Sequence, residues 1–187
     1  MSRGTVDDLR SASRVLLYGV TGSGKSTAAV RLGELLGLPV HLVDEEVGWL
    51  PGWVERPTED QRAIAAGIVA QDTWVLDSAY GKWSDLVLAR AEVVVGLDYP
   101  RWLSLGRLVR RTLGRWAMRT QMCNGNVETA RQILSRDSIL LWHVRSFPRK
   151  RARMREWESR PDGIPVLRLS HPRELERLLG ELEVPSL

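Results

Sequence analysis

Residues 19–27 read Gly-Val-Thr-Gly-Ser-Gly-Lys-Ser-Thr, and no other run limits the possible folds of this chain as strongly. Gly19, Gly22, Gly24, Lys25 and Ser26 fit the pattern G-x-x-x-x-G-K-[ST], a phosphate-binding loop. The pattern needs a strand before it and a helix after it. Arg14-Val15-Leu16-Leu17-Tyr18 is a short apolar run suited to a buried strand, and residues 26–36 (STAAVRLGELL) have helical composition up to Gly37-Leu38-Pro39.

The residue types follow from the charge of a phosphate chain. Glycines let the backbone curl closely around the anion, because they reach conformations closed to other residues. Inward-pointing N–H groups then make an anion nest, and the following helix adds unpaired N–H groups and the positive end of its dipole. Gly19, Gly22, Ser23 and Gly24 supply the loop, Lys25 reaches the β- and γ-phosphates, Ser26 offers a hydroxyl to Mg²⁺, and Thr27 meets the α-phosphate. The expected cofactors are ATP and Mg²⁺.

With 187 residues, 43% hydrophobic and 27% charged, the chain suits one domain with a full core. No stretch approaches the ~20 apolar residues of a membrane span. The opening MSRGTVDDLRSAS lacks an apolar signal core, so a cytoplasmic location is expected. The single cysteine, Cys123, excludes an internal disulfide and a Cys-rich zinc site. His41, His143 and His171 are far apart and form no metal pattern. Charge is uneven: residues 99–160 hold 15 Lys+Arg against 4 Asp+Glu, a local net of +11 within an overall +4. Arginine dominates, and only Lys25, Lys82 and Lys150 are lysines. Such a region suits phosphate groups, either of a small-molecule pair or of a nucleic acid.

Along the chain, strands are expected at about 14–18, 39–43, 73–76, 92–97 and 164–169. The second, third and fourth end at Asp44, Asp77 and Asp98; a turn-and-cap role is expected for Asp98. Helices are expected over 25–36, from a capping box at Thr58-Glu59-Asp60-Gln61 to about 71, briefly to about 91, from Pro100 onward, over about 127–147 up to Pro148, and over about 172–182. In the helix after Pro100, Trp102, Leu105, Val109, Leu113 and Trp116 recur at helical spacing as a buried stripe, with Arg107, Arg111 and Arg115 on another face. Strands alternating with helices predict an α/β fold, a doubly wound parallel sheet whose ligands bind at the carboxyl ends of the strands.

The glycine loop, the Leu-Asp strand endings and the arginine-rich helix resemble the P-loop small-molecule and nucleoside monophosphate kinases. Leu76-Asp77-Ser78-Ala79-Tyr80-Gly81, Leu97-Asp98-Tyr99-Pro100-Arg101-Trp102 and the Pro51-Gly52-Trp53 segment look closer to the bacterial adenylate kinase-like proteins labelled DNA topology modulation proteins. The resemblance spans roughly 14–180. It implies a three-layer fold with a five-stranded sheet ordered 2-3-1-4-5, one domain over 1–187, an acceptor region near 45–72 and an arginine-rich helical lid near 107–130. It also implies that Asp77 holds Mg²⁺ through water, that Asp44 faces the acceptor, and that Arg107, Arg111, Arg115 and Arg119 close over the phosphates. The reaction so implied is γ-phosphoryl transfer to a small acceptor, with a nucleoside monophosphate first and a sugar acid next. The rival is an ATP-dependent nucleic-acid-binding or DNA-topology regulatory protein using the basic region.

The chain departs from true adenylate kinases, which carry Asp-Gly-Phe-Pro-Arg where Asp77-Ser78-Ala79-Tyr80-Gly81 stands here. The acceptor-side arginine of that segment is absent, leaving Arg56 or Arg62 as the alternative grip on an acceptor phosphate. Of the eight tryptophans, Trp74, Trp102 and Trp116 are expected in the core; Trp49, Trp53 and Trp83 lie near the acceptor side, with packing or loop anchoring the favoured role. The run Arg149-Lys150-Arg151-Ala152-Arg153-Met154-Arg155 is read as a solvated helix face, with sequence-independent nucleic-acid contact as the alternative.

Overall fold

The computed structural model describes residues 2–127, 129 and 138–184. Five parallel strands form the central sheet: β1 (Arg14–Gly19), β2 (Val40–His41), β3 (Trp74–Leu76), β4 (Val93–Leu97) and β5 (Val166–Leu169). Their spatial order is β2-β3-β1-β4-β5, as expected. Leu16 pairs with Leu76 on one side and Val94 on the other, so β1 is the centre of the sheet. Strands covered on both faces read as continuous apolar runs, which is why 14–18 and 92–97 were legible.

Alternation within each strand builds two cores. Leu16, Tyr18, Trp74, Leu76, Val94 and Val166 face one side, with Ile68 of α3 (Thr58–Val69), Val87 of α4 (Ser84–Leu88) and Met154 and Trp157 of a long helix over Ile139–Ser159. Val15, Leu17, Val75, Val93, Val95 and Leu167 face the other side. Leu9 of α1 (Val6–Ser11), Leu32 of α2 (Lys25–Leu36) and Leu175 and Leu179 of the last helix, Pro172–Glu183, cover them. Numbered in chain order with α5 (Arg101–Met118), the long helix is α6 and the last helix α7. The polar N-terminal stretch is structured: α1 carries a Thr5–Asp8 capping box and buries Leu9, and Gly4 N donates to Val166 O at 3.0 Å.

Several local expectations are corrected. The N-cap of α3 is Pro57, and no Thr58–Gln61 capping box forms. In the region expected to face the acceptor, Asp44–Gly48 winds as a π-helical turn, and Trp49–Leu50 pairs with Val54–Glu55 in a small antiparallel ribbon. Pro148 neither ends nor interrupts α6. A proline there deprives the carbonyl four residues back of its helical donor, and Arg101 Nη2 donates to that Val144 carbonyl at 3.4 Å. The expected helical stretch 127–147 and the lid region 107–130 fall partly outside the described residues. A second ribbon pairs Gln121–Met122 with Asn126–Val127.

The stripe expected to be buried on α5 is not: Trp102, Leu113 and Trp116 are exposed, and Leu105 and Val109 are half-buried. Trp102 is 72% exposed and Trp116 47% exposed, while Ser104, Leu108 and Thr112 form the buried line. The reason is the glycine loop. A Cβ on Gly22 would lie 2.8 Å from Leu108 Cβ and would collide with the Ser104 carbonyl, so α5 rests its smaller side chains against the loop.

Candidate functional site

The glycine loop joins β1 to α2 at the carboxyl edge of the sheet. Gly22 (φ 82°) and Gly24 (φ 95°) hold left-handed backbone that an L-side chain would strain. Gly24 is the N-cap of α2 and no side chain caps that terminus, so the first-turn N–H groups face the loop's hollow. Ser23 is buried and ties the loop from within, its hydroxyl donating to Val20 O at 2.8 Å. Thr27 is exposed on the first turn of α2.

Lys25, half-buried, donates from Nζ to Val20 O at 3.0 Å. Burial pushes its ammonium below the usual lysine range, against the favourable fields of Asp77 and Asp44. Ser26 Oγ donates to Asp77 Oδ2 at 2.5 Å, and Val43 N donates to Asp77 Oδ1 at 2.9 Å. Asp77 is 4% exposed, and burial raises its carboxyl despite those hydrogen bonds and Lys25. Asp77 therefore joins the end of β3 to both the loop and the chain leaving β2. A hydroxyl and a carboxylate in contact are hard oxygen donors, the chemistry Mg²⁺ takes beside phosphate oxygens. The donor set fits that ion.

Asp44 is exposed at the start of the π-helical turn and accepts a hydrogen bond from the Tyr80 hydroxyl. Burial first, and then Asp44, push the Tyr80 phenol far up, so it stays a donor. Gly48 is needed beneath it, because a Cβ there would strike the Tyr80 ring. Arg56 donates from Nε to Val47 O at 3.2 Å, and Arg62 is bidentate to Asp85 at 2.9 Å on the surface. Trp83 is buried and donates to Gln61 Oε1; Trp53 anchors the two ribbons through Val127 O at 3.0 Å. Asn124 Nδ2 also crosses between the ribbons, donating to Glu45 O and Trp49 O at 2.8 and 2.7 Å.

Arg107, Arg111 and Arg115 line an open cleft of about 340 Å³ together with Arg110, Gly114 and Met118. Arg107 also lies over the Tyr99 ring, 5.7 Å from its centroid, and its Nη1 comes 3.9 Å from where a Gly24 Cβ would stand. Arg119 is not brought to this cleft: it is the C-cap of α5 in left-handed conformation (φ 48°).

Two features escaped the sequence reading. Asp98 is no turn residue: it is buried, with Arg151 Nε at 2.9 Å, Arg168 Nη1 at 3.2 Å and Arg155 Nε at 3.8 Å. Lys150 reaches from α6 to the glycine loop and donates from Nζ to Gly19 O at 3.1 Å. The run 149–155 is thus not simply a solvated face. The one visible signal was a lone lysine among arginines.

No family model matches the sequence, and no curated protein matches it. Solved structures share its architecture. A shikimate kinase from Acinetobacter baumannii aligns with TM-score 0.60 at 16% identity over 96% of each chain. A shikimate kinase from Bacteroides thetaiotaomicron gives 0.55 at 14% identity, over 92% of this chain and 97% of that one. A sugar kinase from Janibacter gives 0.52 at 19% identity over 90% of each. At these identities the likeness is one of fold, a parallel α/β sheet flanked by helices.

Proposed function

We propose that this chain is a phosphotransferase that moves the γ-phosphoryl group of ATP to a small acceptor, a nucleoside monophosphate first and a sugar acid next. The observation that carries the reading is the Ser26–Asp77 contact at 2.5 Å, formed beside Lys25 within a complete glycine loop. The loop N–H groups and Lys25 bind the β- and γ-phosphates. Ser26 and Asp77 would hold Mg²⁺, whose part is to neutralise phosphate charge. Phosphoryl transfer needs positioning and electrostatic stabilisation above all. Arg107, Arg111 and Arg115 supply that from the lid, where one arginine is worth ~10³–10⁵ in rate in other phosphoryl-transfer enzymes.

On the acceptor side, Asp44 faces the acceptor and, where the attacking group is a hydroxyl, orients it and takes its proton. The acceptor oxygen bonds to phosphorus as the bond to the ADP oxygen breaks. Tyr80 orients Asp44 by donating to it. Arg62 is engaged with Asp85, so a phosphate on the acceptor would have to be met by Arg56 or the lid arginines. Nucleoside monophosphates and sugar acids are therefore the two acceptor classes to assay. The nucleic-acid reading is weakened because Lys150, Arg151 and Arg155 engage the loop and Asp98.

The test is transfer from γ-labelled ATP with Mg²⁺ across nucleoside monophosphates, nucleosides and sugar acids, with Lys25→Ala as control. A labelled product, reduced at least ~10²-fold in the control, is expected. Stimulation of ATP hydrolysis by polynucleotide, with no small-molecule product, would replace this reading with the regulatory one.

A further inference from the structure

The chain has three lysines among 27 basic residues; one is Lys25, and another, Lys150, arrives at the same loop from the far helix. Lys150 Nζ donates to Gly19 O at 3.1 Å and Lys25 Nζ donates to Val20 O at 3.0 Å. Two amino groups are thus parked on consecutive carbonyls of one glycine loop. The Lys150 amine also lies over the Tyr18 ring, 5.4 Å from its centroid. The charged groups that face it are Lys25 of α2, Asp44 of the π-helical turn, Asp77 beyond β3 and Arg153 of its own helix.

This placement is unfavourable as a purely structural tether. A half-buried lysine beside a second lysine and an arginine loses hydration and meets repulsion, and one carbonyl and a ring face repay little of it. Burial first, and then Lys25, push the Lys150 amine down to about 7, with Asp44 and Asp77 acting in the other direction. The positive potential there has a natural complement, a polyphosphate. Lys25 marks the β/γ end of such a chain, and Lys150 holds the carbonyl next to the one Lys25 holds. Ser26 and Thr27 are on the α2 side of the loop.

We infer that Lys150 is a second phosphate-binding cation of this site, meeting the β/γ end of a nucleoside triphosphate from α6 beside Lys25. The inference rests on the nucleotide-binding part of the function proposed above and does not require turnover. Burial lowers the proton affinity of the amine and a bound polyanion raises it, so binding draws a proton onto the group. Affinity for MgATP should therefore fall as pH rises above 7, by up to about tenfold per unit for one proton taken up. Arginine at the position keeps its charge throughout this range. Lys25 is also pushed down by burial, so the diagnostic quantity is the difference between the wild type and Lys150→Arg.

The experiment is titration calorimetry of MgATP into the wild type, Lys150→Arg and Lys150→Met at pH 7.5 and 8.5. Two buffers of different ionisation enthalpy count the protons taken up. Thermal unfolding checks each variant's fold. Lys150→Arg is expected to take up several tenths of a proton fewer than the wild type and to show a flatter pH dependence. Lys150→Met is expected to lose about tenfold or more in ATP affinity, the scale of one charge-assisted contact. If Lys150→Met does not fold, the Lys150→Arg proton count decides alone. Equal proton counts in wild type and Lys150→Arg, or ATP affinity within twofold in a folded Lys150→Met, would overturn the role of Lys150 and leave nucleotide binding standing. A wild-type chain that binds no MgATP would overturn both.

Discussion

Asp77 shows how one residue trades stability for a site. Its carboxylate is almost fully buried, and burial outweighs the hydrogen bonds from Ser26 and Val43, raising its proton affinity in the fold. The folded state therefore holds this proton more readily than the unfolded chain. Stability contributed here falls as pH rises from the unfolded value of 3.8 through the raised folded value. At neutral pH the ionised group is a net cost. Asp77→Asn is expected to unfold at a temperature no lower than the wild type at pH 7, with the difference shrinking below pH 4, while phosphate transfer drops ~10²-fold or more. Thermal melts across pH 3–8 and the transfer assay check both halves; a variant less stable at pH 7 would contradict the account. The strand–loop–helix order around Lys25 and Ser26 was legible from spacing alone. The Asp77–Ser26 contact was only implied, since nothing in a linear sequence brings position 77 to position 26. Tyr80 as the partner of Asp44 was not legible at all.

At the scale of the element, α5 and α6 carry the main surprise. Helical periodicity in α5 is real, yet the apolar line 102, 105, 109, 113 and 116 competes with a line of smaller residues, Ser104, Leu108 and Thr112. The smaller line wins because a glycine loop leaves no room for tryptophan. Trp102→Ala is accordingly expected to change stability by less than ~0.5 kcal/mol. Trp74→Ala, in the sheet core, should cost about 3–5 kcal/mol. Urea unfolding of the two variants would separate them, and a comparable loss in both would contradict the burial described. The α5–α6 contact has its own titration. His143 is buried, its Nε2 2.9 Å from Ser104 Oγ, and burial, then Arg101, push the imidazole below 6.5. A depressed histidine stabilises above its unfolded value, and that stability is lost as pH falls through the folded one. The melting temperature should fall between pH 7 and pH 5, and His143→Leu should flatten that fall. Ser104 keeps carbonyl partners at 3.3–3.4 Å in its absence. An unchanged pH profile in that variant would show that other groups set it.

At the scale of the whole molecule, Asp98 acts as a clamp. One buried carboxylate at the end of β4 gathers Arg151 and Arg155 from α6 and Arg168 from β5, and Arg168 also pairs with Glu158 at 2.7 Å. The clamp fixes α6 on the sheet edge, and α6 in turn delivers Lys150 to the loop. Removing the carboxylate leaves partly exposed guanidinium groups without their shared partner while Arg168 keeps Glu158, a change that costs about 1–2 kcal/mol. Asp98→Ala should lower stability by that amount in denaturant unfolding, and more than Asp85→Ala, whose pair with Arg62 is exposed. Equal losses would contradict the clamp.

By itself the sequence determined the glycine loop between strand and helix, the five strands and their α/β arrangement. These rest on local facts: glycine spacing, apolar runs long enough for a strand, and helical composition between them. The 2-3-1-4-5 order followed from the resemblance that the loop carried. Only the tertiary structure decided which face of α5 is buried, that Pro148 lies within a continuous helix, and that Lys150, Asp98 and Tyr80 belong to the site and its support. Each of these depends on contacts between residues far apart in the chain: Gly22 against Leu108, Arg101 beneath Val144, Lys150 against Gly19. A linear pattern records what one segment prefers, whereas packing decides which of several preferences is satisfied.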